Sequence, residues 1–86
     1  MIGYEIVTSA LETARGIALA QGWGGAAESA RLTMDAVLWS APEIRREMVR
    51  RYLAEARARV QMPDDVPARF YAFLAAALRV SLVEVW

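Results

Sequence analysis

The chain has 86 residues, ten arginines against ten acidic residues, and neither cysteine nor histidine. That length supports one domain, residues 1–86, near the lower limit for an independent core. The composition excludes disulfides and thiolate metal sites and removes the commonest metal ligand and general base.

The apolar share of 57% exceeds the ~45–50% usual for soluble domains, so some apolar surface is expected to meet a partner. Glu5 and Glu12 interrupt the first apolar run, so no signal-peptide pattern opens the chain and a cytoplasmic protein is expected.

The first helix is expected over residues 4–20. Ile6, Val7, Ala10, Leu11, Ala14, Ile17 and Ala18 fall in one arc of its wheel, opposite Thr8, Glu12 and Arg15. The alternation Ile2, Tyr4, Ile6 also permits a short strand, after which Ser9 and Glu12 would form a capping box. The long helix is the preferred reading. Gln21-Gly22-Trp23-Gly24-Gly25 ends it, with Gly22 suited to the left-handed geometry of a helix C-terminus. A phosphate-cradling loop fails on context, because no Lys-Ser or Lys-Thr follows and no clear strand precedes. A hinge between antiparallel helices remains, with Trp23 either plugging the core or exposed to a partner.

The second helix is expected over 26–39 and carries two apolar stripes. Ala26, Ala27, Ala30, Met34, Val37 and Leu38 form the main one, while Leu32, Ala36 and Trp39 form another beyond Glu28 and Asp35. Ser40-Ala41-Pro42-Glu43 reads as a capping box with proline in the first turn, starting a third helix over 41–60. Ala41, Ile44, Met48, Val49, Tyr52, Leu53, Ala56 and Val60 occupy half of that wheel. Arg46, Glu47, Arg50, Arg51 and Arg57 occupy the other half, with Arg45 and Arg59 at the margin.

A fourth helix is expected over 66–83, entered through Asp64, Asp65 and Pro67 as capping and first-turn residues. Phe70, Leu74, Ala77, Leu78, Ser81 and Leu82 share one arc, and Ala72, Ala75, Ala76 and Val83 make the opposite side almost as apolar. Such a helix is either central to the domain or half of an oligomer interface. The β-branched run Val80–Trp86 leaves a terminal strand as an alternative there, as it does at residues 1–8. The run is too short and too charged for a bilayer span.

Charge is unevenly distributed. Residues 43–60 carry six arginines against three glutamates, while the segments on either side are net acidic. Arg46, Arg50 and Arg57 lie together on the exposed side of the third helix and could dock on an acidic or phosphate-bearing surface. The pairs Glu47–Arg51 and Glu55–Arg59, both spaced i, i+4, fit an ordinary solvated helix equally well. No carboxylate cluster has metal-ligand spacing and no serine has a base beside it, so an enzyme is not expected, nor a metal or cofactor.

The reading is therefore an all-α, compact bundle of four helices, mostly antiparallel with short loops. Its expected core is Leu11, Ile17, Met34, Leu38, Ile44, Met48, Tyr52, Phe70, Leu74 and Leu78. The expected function is that of a small non-enzymatic interaction module, an adaptor, small subunit or inhibitor docking on a larger protein assembly. Trp23, Leu32, Trp39 and Trp86 are its candidate protein-interaction residues, and self-association is the other use of the same surface. The alternative is a helix-turn-helix-like DNA-binding dimer whose Arg-rich third helix would offer Glu43, Arg45 and Arg46 to base edges. A neutral chain of pI near 6.2 favours nucleic acid less than protein.

Overall fold

In the computed structural model, which describes residues 2–61 and 66–83, four helices follow one another: α1 (Ile2–Ala20), α2 (Gly24–Trp39), α3 (Pro42–Arg59) and α4 (Ala68–Val80). Among the described residues there is no strand, and the alternation at Ile2, Tyr4 and Ile6 is absorbed into α1. Val80 closes α4 and Ser81–Leu82 form a turn; residues 84–86, where a strand was the alternative, lie outside the described residues.

The chain forms two helical hairpins, α1 with α2 and α3 with α4, and α4 also touches α1 and α2. Of the two roles the sequence allowed α4, the central one is observed. Leu74, Ala75 and Leu78 are wholly buried, with Phe70, Tyr71 and Ala77 beside them. The α1 and α3 backbones do not approach each other.

Gly22 adopts φ 78°, and the turn around it satisfies the last carbonyls of α1. The Trp23 N–H donates to the Ala18 carbonyl at 2.8 Å and the Gly22 N–H to the Leu19 carbonyl at 3.1 Å. This is the paired-bond C-terminus that a left-handed residue makes available, and glycine occupies it without a Cβ penalty. Trp23 turns inward and meets Phe70 edge-on, ring centroids 6.1 Å apart, so it plugs the end of the core.

The expected Ser40–Glu43 capping box does not form. Ser40 instead terminates α2, its N–H donating to the Ala36 carbonyl at 3.0 Å, and Ala41 becomes the N-cap of α3 with no side-chain cap. Pro42 takes the first helical position, where its missing N–H would have had no partner anyway. Pro67 is likewise the N-cap of α4 rather than a first-turn residue; the capping roles expected of Asp64 and Asp65 lie outside the described residues.

Three residues expected in the core are about half exposed: Ile17, Leu38 and Ile44. Each stands at the edge of its helix's apolar arc, and the neighbouring helices cover only the centre of that arc. On α1 the covered strip is Val7, Leu11, Ala14 and Ala18, which leaves Ile6 and Ile17 outside it. Met34, Met48 and Tyr52 are partly buried and pack against the core.

The centre of the buried face of α3 is an arginine. Arg45 stands on the same row as Met48, Val49, Tyr52 and Ala56 and is only 7% exposed. Its guanidinium donates from Nη1 to the Ser81 carbonyl at 2.8 Å and to Ser81 Oγ at 3.2 Å. Ser81 Oγ in turn donates to the Leu78 carbonyl at 2.6 Å. Arg45 thus caps the C-terminus of α4, where the helix dipole favours a cation. Its Nε is buried without a partner among the described residues.

Candidate interaction surfaces

Between α1 and α4 the two backbones leave an open, mostly apolar groove of about 580 Å³. Ala10, Thr13 and Ile17 form one wall, Phe70 and Phe73 the other, and Trp23 closes one end. Its origin is local. The apolar arc of α1 is wider than the strip its neighbours cover, and on α4 the row Ala72, Phe73, Ala76 and Val80 faces outward. Arg69 stands at the rim. Thr13 and Arg69 are its hydroxyl-bearing and charged side chains, and the rest of the lining is mostly apolar, so the surface is suited to apolar contact more than to orienting a small polar substrate.

A second apolar patch lies at the junction of α2 and α3. Trp39 is 81% exposed, more than any other large apolar residue described, and Leu38 and Ile44 beside it in sequence are about half exposed. Tyr4, Val37, Leu38, Trp39, Ser40 and Arg45 line a shallow depression here.

The structure separates the sequence-predicted interaction residues. Trp23 belongs to the groove end of the molecule, packed on Phe70. Leu32 and Trp39 share one exposed face of α2, and Trp39 lies at the opposite end of that helix from Trp23. Alongside this face runs an ionic row, in which Arg31 Nε donates to Glu28 at 3.0 Å and Arg31 Nη1 to Asp35 at 3.0 Å. The bond to Arg31 holds the Glu28 carboxyl below its usual range and raises the Arg31 guanidinium. Trp86 lies outside the described residues.

The arginine row on α3 is present. Arg46, Arg50 and Arg57 are exposed on one side of the helix. Arg46 stands 3.9 Å from Glu43 and Arg50 3.3 Å from Glu47. Glu47 therefore pairs with Arg50 rather than with Arg51, while the expected Glu55–Arg59 pair forms at 2.8 Å. Arg59 also lies over the Tyr71 ring at 4.9 Å, which ties it to α4. Arg45 cannot reach a base edge from its buried position, so one of the three contacts expected of a recognition helix is lost.

Two residues that line the groove, Phe73 and Arg69, were not among the sequence-predicted candidates. Phe73 stands beside the apolar arc of α4, and which side of that arc faces open space depends on how α1 and α4 cross. Among the described residues no group of acidic side chains could hold a metal ion, and no helix is long and apolar enough to cross a membrane. Comparison of the chain with protein-family models, with curated proteins and with solved structures finds no match.

Proposed function

We propose that this chain is a non-enzymatic protein-interaction module, of adaptor, small-subunit or inhibitor type, that docks on a larger protein through the α2–α3 junction. The observation that carries this reading is the 81% exposure of Trp39. A tryptophan left that open forgoes the burial of a large apolar surface, and tryptophan is a preferred anchor where one protein seats on another. Leu38 and Ile44 extend the patch, and Leu32 continues it along α2.

Arg46, Arg50 and Arg57 add a positively charged flank suited to an acidic rim on the partner. Exposed charges of that kind set approach and orientation more than affinity. In this role the chain needs no catalytic residue, metal or cofactor; it acts by covering a site.

The test is capture of the partner from the cell of origin on immobilised protein. Trp39→Ala should abolish recovery, while Arg46→Ala with Arg50→Ala should leave recovery largely intact and reduce its salt sensitivity. The DNA-binding alternative reverses this pattern. DNA affinity would then fall steeply with salt in the parent protein and vanish in the double arginine variant.

A further inference from the structure

We infer that the depression at the α2–α3 junction receives a carboxylate of the docked partner, an aspartate or glutamate side chain held by the buried guanidinium of Arg45. The inference deepens the interaction-module reading and rests on it, since the depression is part of the surface around Trp39.

Arg45 is a buried cation that the fold leaves without a counter-charge. It is 7% exposed, and it forms no ion pair among the described residues. The acids nearest to it in sequence are already engaged, Glu43 with Arg46 and Glu47 with Arg50. Both of its hydrogen bonds leave from Nη1 and end on Ser81, one on the carbonyl and one on the hydroxyl. These acceptors are neutral, and the helix dipole of α4 adds only roughly half a charge. Buried ions are normally paired, because taking a charge out of water costs more than neutral hydrogen bonds return.

The unused part of the guanidinium has a definite shape. Nε is buried without a partner, and Nη2 makes no hydrogen bond either but keeps some exposure. Nε and Nη2 form one edge of the planar group, with two parallel N–H donors that a carboxylate accepts on its two oxygens. The same molecule makes that pairing in the open, where Arg31 gives Nε to one oxygen of Glu28 and Nη2 to the other. Arg45 carries the corresponding edge empty. Its Nη1 is turned to Ser81, which does not line the depression, so the Nε–Nη2 edge is the part left to meet what enters. Nη2 makes the first contact, and a slight turn of the guanidinium brings Nε to the second oxygen.

The walls select the ligand. Val37, Leu38 and Trp39 line the depression, and Ser40 adds a hydroxyl that makes no hydrogen bond among the described residues. Arg45 carries the only charge among the described lining residues. One cation on apolar walls balances one negative charge, which is what a carboxylate brings. A phosphate group carries about −1.5 to −2 at neutral pH and would leave charge uncompensated there. Trp39, 81% exposed, stands where the chain bearing the acid would rest, which favours a protein side chain over a free acid.

The test is a titration of the intact, nitrogen-labelled chain with sodium acetate as the carboxylate probe. The Arg Nε–H and Trp indole N–H resonances are followed by NMR at a mildly acidic pH where acetate stays ionised. Sodium chloride and the doubly charged sulfate, at matched ionic strength, are the controls. The Arg45 Nε–H should move downfield and saturate with acetate, and the Trp39 indole N–H should move with the same midpoint. Arg46 and Arg50, exposed on the same helix, should show no saturable shift. In Arg45→Met, checked for native helix content by circular dichroism, acetate should no longer move the Trp39 indole, and capture of the partner should be lost. An Arg45 Nε–H unmoved by acetate overturns the inference on the parent protein alone, and so does a response to sulfate as strong as to acetate. Acetate binding with capture lost in Trp39→Ala but intact in Arg45→Met also overturns it and leaves the docking reading standing. Acetate binding with capture indifferent to Trp39→Ala overturns the docking reading, and with it the assignment of the acid to a partner.

Discussion

The two hairpins are built from different materials. In α1–α2 the buried residues are mostly alanine: Ala14 and Ala18 on one helix, Ala26, Ala27, Ala30 and Ala36 on the other. Side chains this small let the two helix axes approach closely, so the contact is made by backbone-near atoms over the whole length. In α3–α4 the contact also includes large, polar-tipped side chains. Tyr71 packs against Phe70 at 5.7 Å and Tyr52 at 6.1 Å between ring centroids, with Arg59 over its face and Arg45 reaching the end of the helix. One hairpin depends on the absence of bulk, the other on its exact placement. One polar crossing between them centres on Thr33: its Oγ1 donates to the Ser29 carbonyl at 2.7 Å, and the Tyr52 hydroxyl from α3 lies 3.1 Å from Thr33 Oγ1 and 3.2 Å from the same carbonyl.

The difference predicts opposite sensitivities. Arg45→Ala removes the charged donor from the Ser81 carbonyl and opens space around the arginine stem, and should cost about 1.5–3 kcal/mol of unfolding free energy in urea titration. Arg45→Met keeps the stem's volume and relieves the burial of an incompletely bonded charge, so it should lose measurably less than the alanine variant. The adjacent Arg46→Ala, on the solvent side, should stay within about 0.5 kcal/mol of the parent. Equal losses at residues 45 and 46 would break the picture of a polar clasp at the end of α4.

The α1–α2 hairpin should instead resist loss of bulk and fail on its gain. Ala18 is wholly buried, and Ala18→Leu should destabilise by about 1–3 kcal/mol, because a well-packed site accommodates extra methylenes only by displacing a helix. Leucine is a good helix former, so propensity does not explain such a loss. An unchanged urea midpoint would mean the two helices are not in close contact at this level.

This contrast also explains what could be read in advance. The number and order of helices followed from the Gly22 turn, from Pro42 and from the apolar periodicity, all of which act within a few residues. The helix spans differ from the structure by only a few residues at their ends. What could not be read depended on who covers whom. Ile17, Leu38 and Ile44 are as apolar as the true core, and nothing in their own helices says that the neighbour stops short of them. Arg45 was misplaced for the opposite reason. Its spacing of three, four, seven and eleven from Met48, Val49, Tyr52 and Ala56 put it in the middle of the buried row, yet its charge suggested the margin. Arginine can bury its stem provided the guanidinium finds carbonyls, and the end of α4 supplies them. Among the candidate interaction residues, the exposure of Trp39 follows from its place at the end of a helix, where no neighbour covers it. The groove was not legible in advance, since it exists only through the crossing of α1 and α4.

The smallest expected effect concerns the ionic row on the open face of α2. The carboxyl of Glu28 titrates below its ordinary value of 4.5, chiefly because it accepts hydrogen bonds from Arg31. A carboxyl whose folded pKa lies below its unfolded one contributes stability above the unfolded value and loses it as pH falls through the folded value. The contribution should therefore be complete at neutral pH and disappear only below pH 4.5. Because both partners stand in solvent, the effect on the unfolding midpoint should be slight and should shrink with added salt. Arg31→Gln isolates it: the Glu28 titration followed by NMR should return to the ordinary carboxylate range. A Glu28 carboxyl that titrates the same with and without Arg31 would mean the row is not held in solution. Leu32 and Trp39 would then border a mobile strip rather than a fixed one, and the proposed docking surface would be less preorganised.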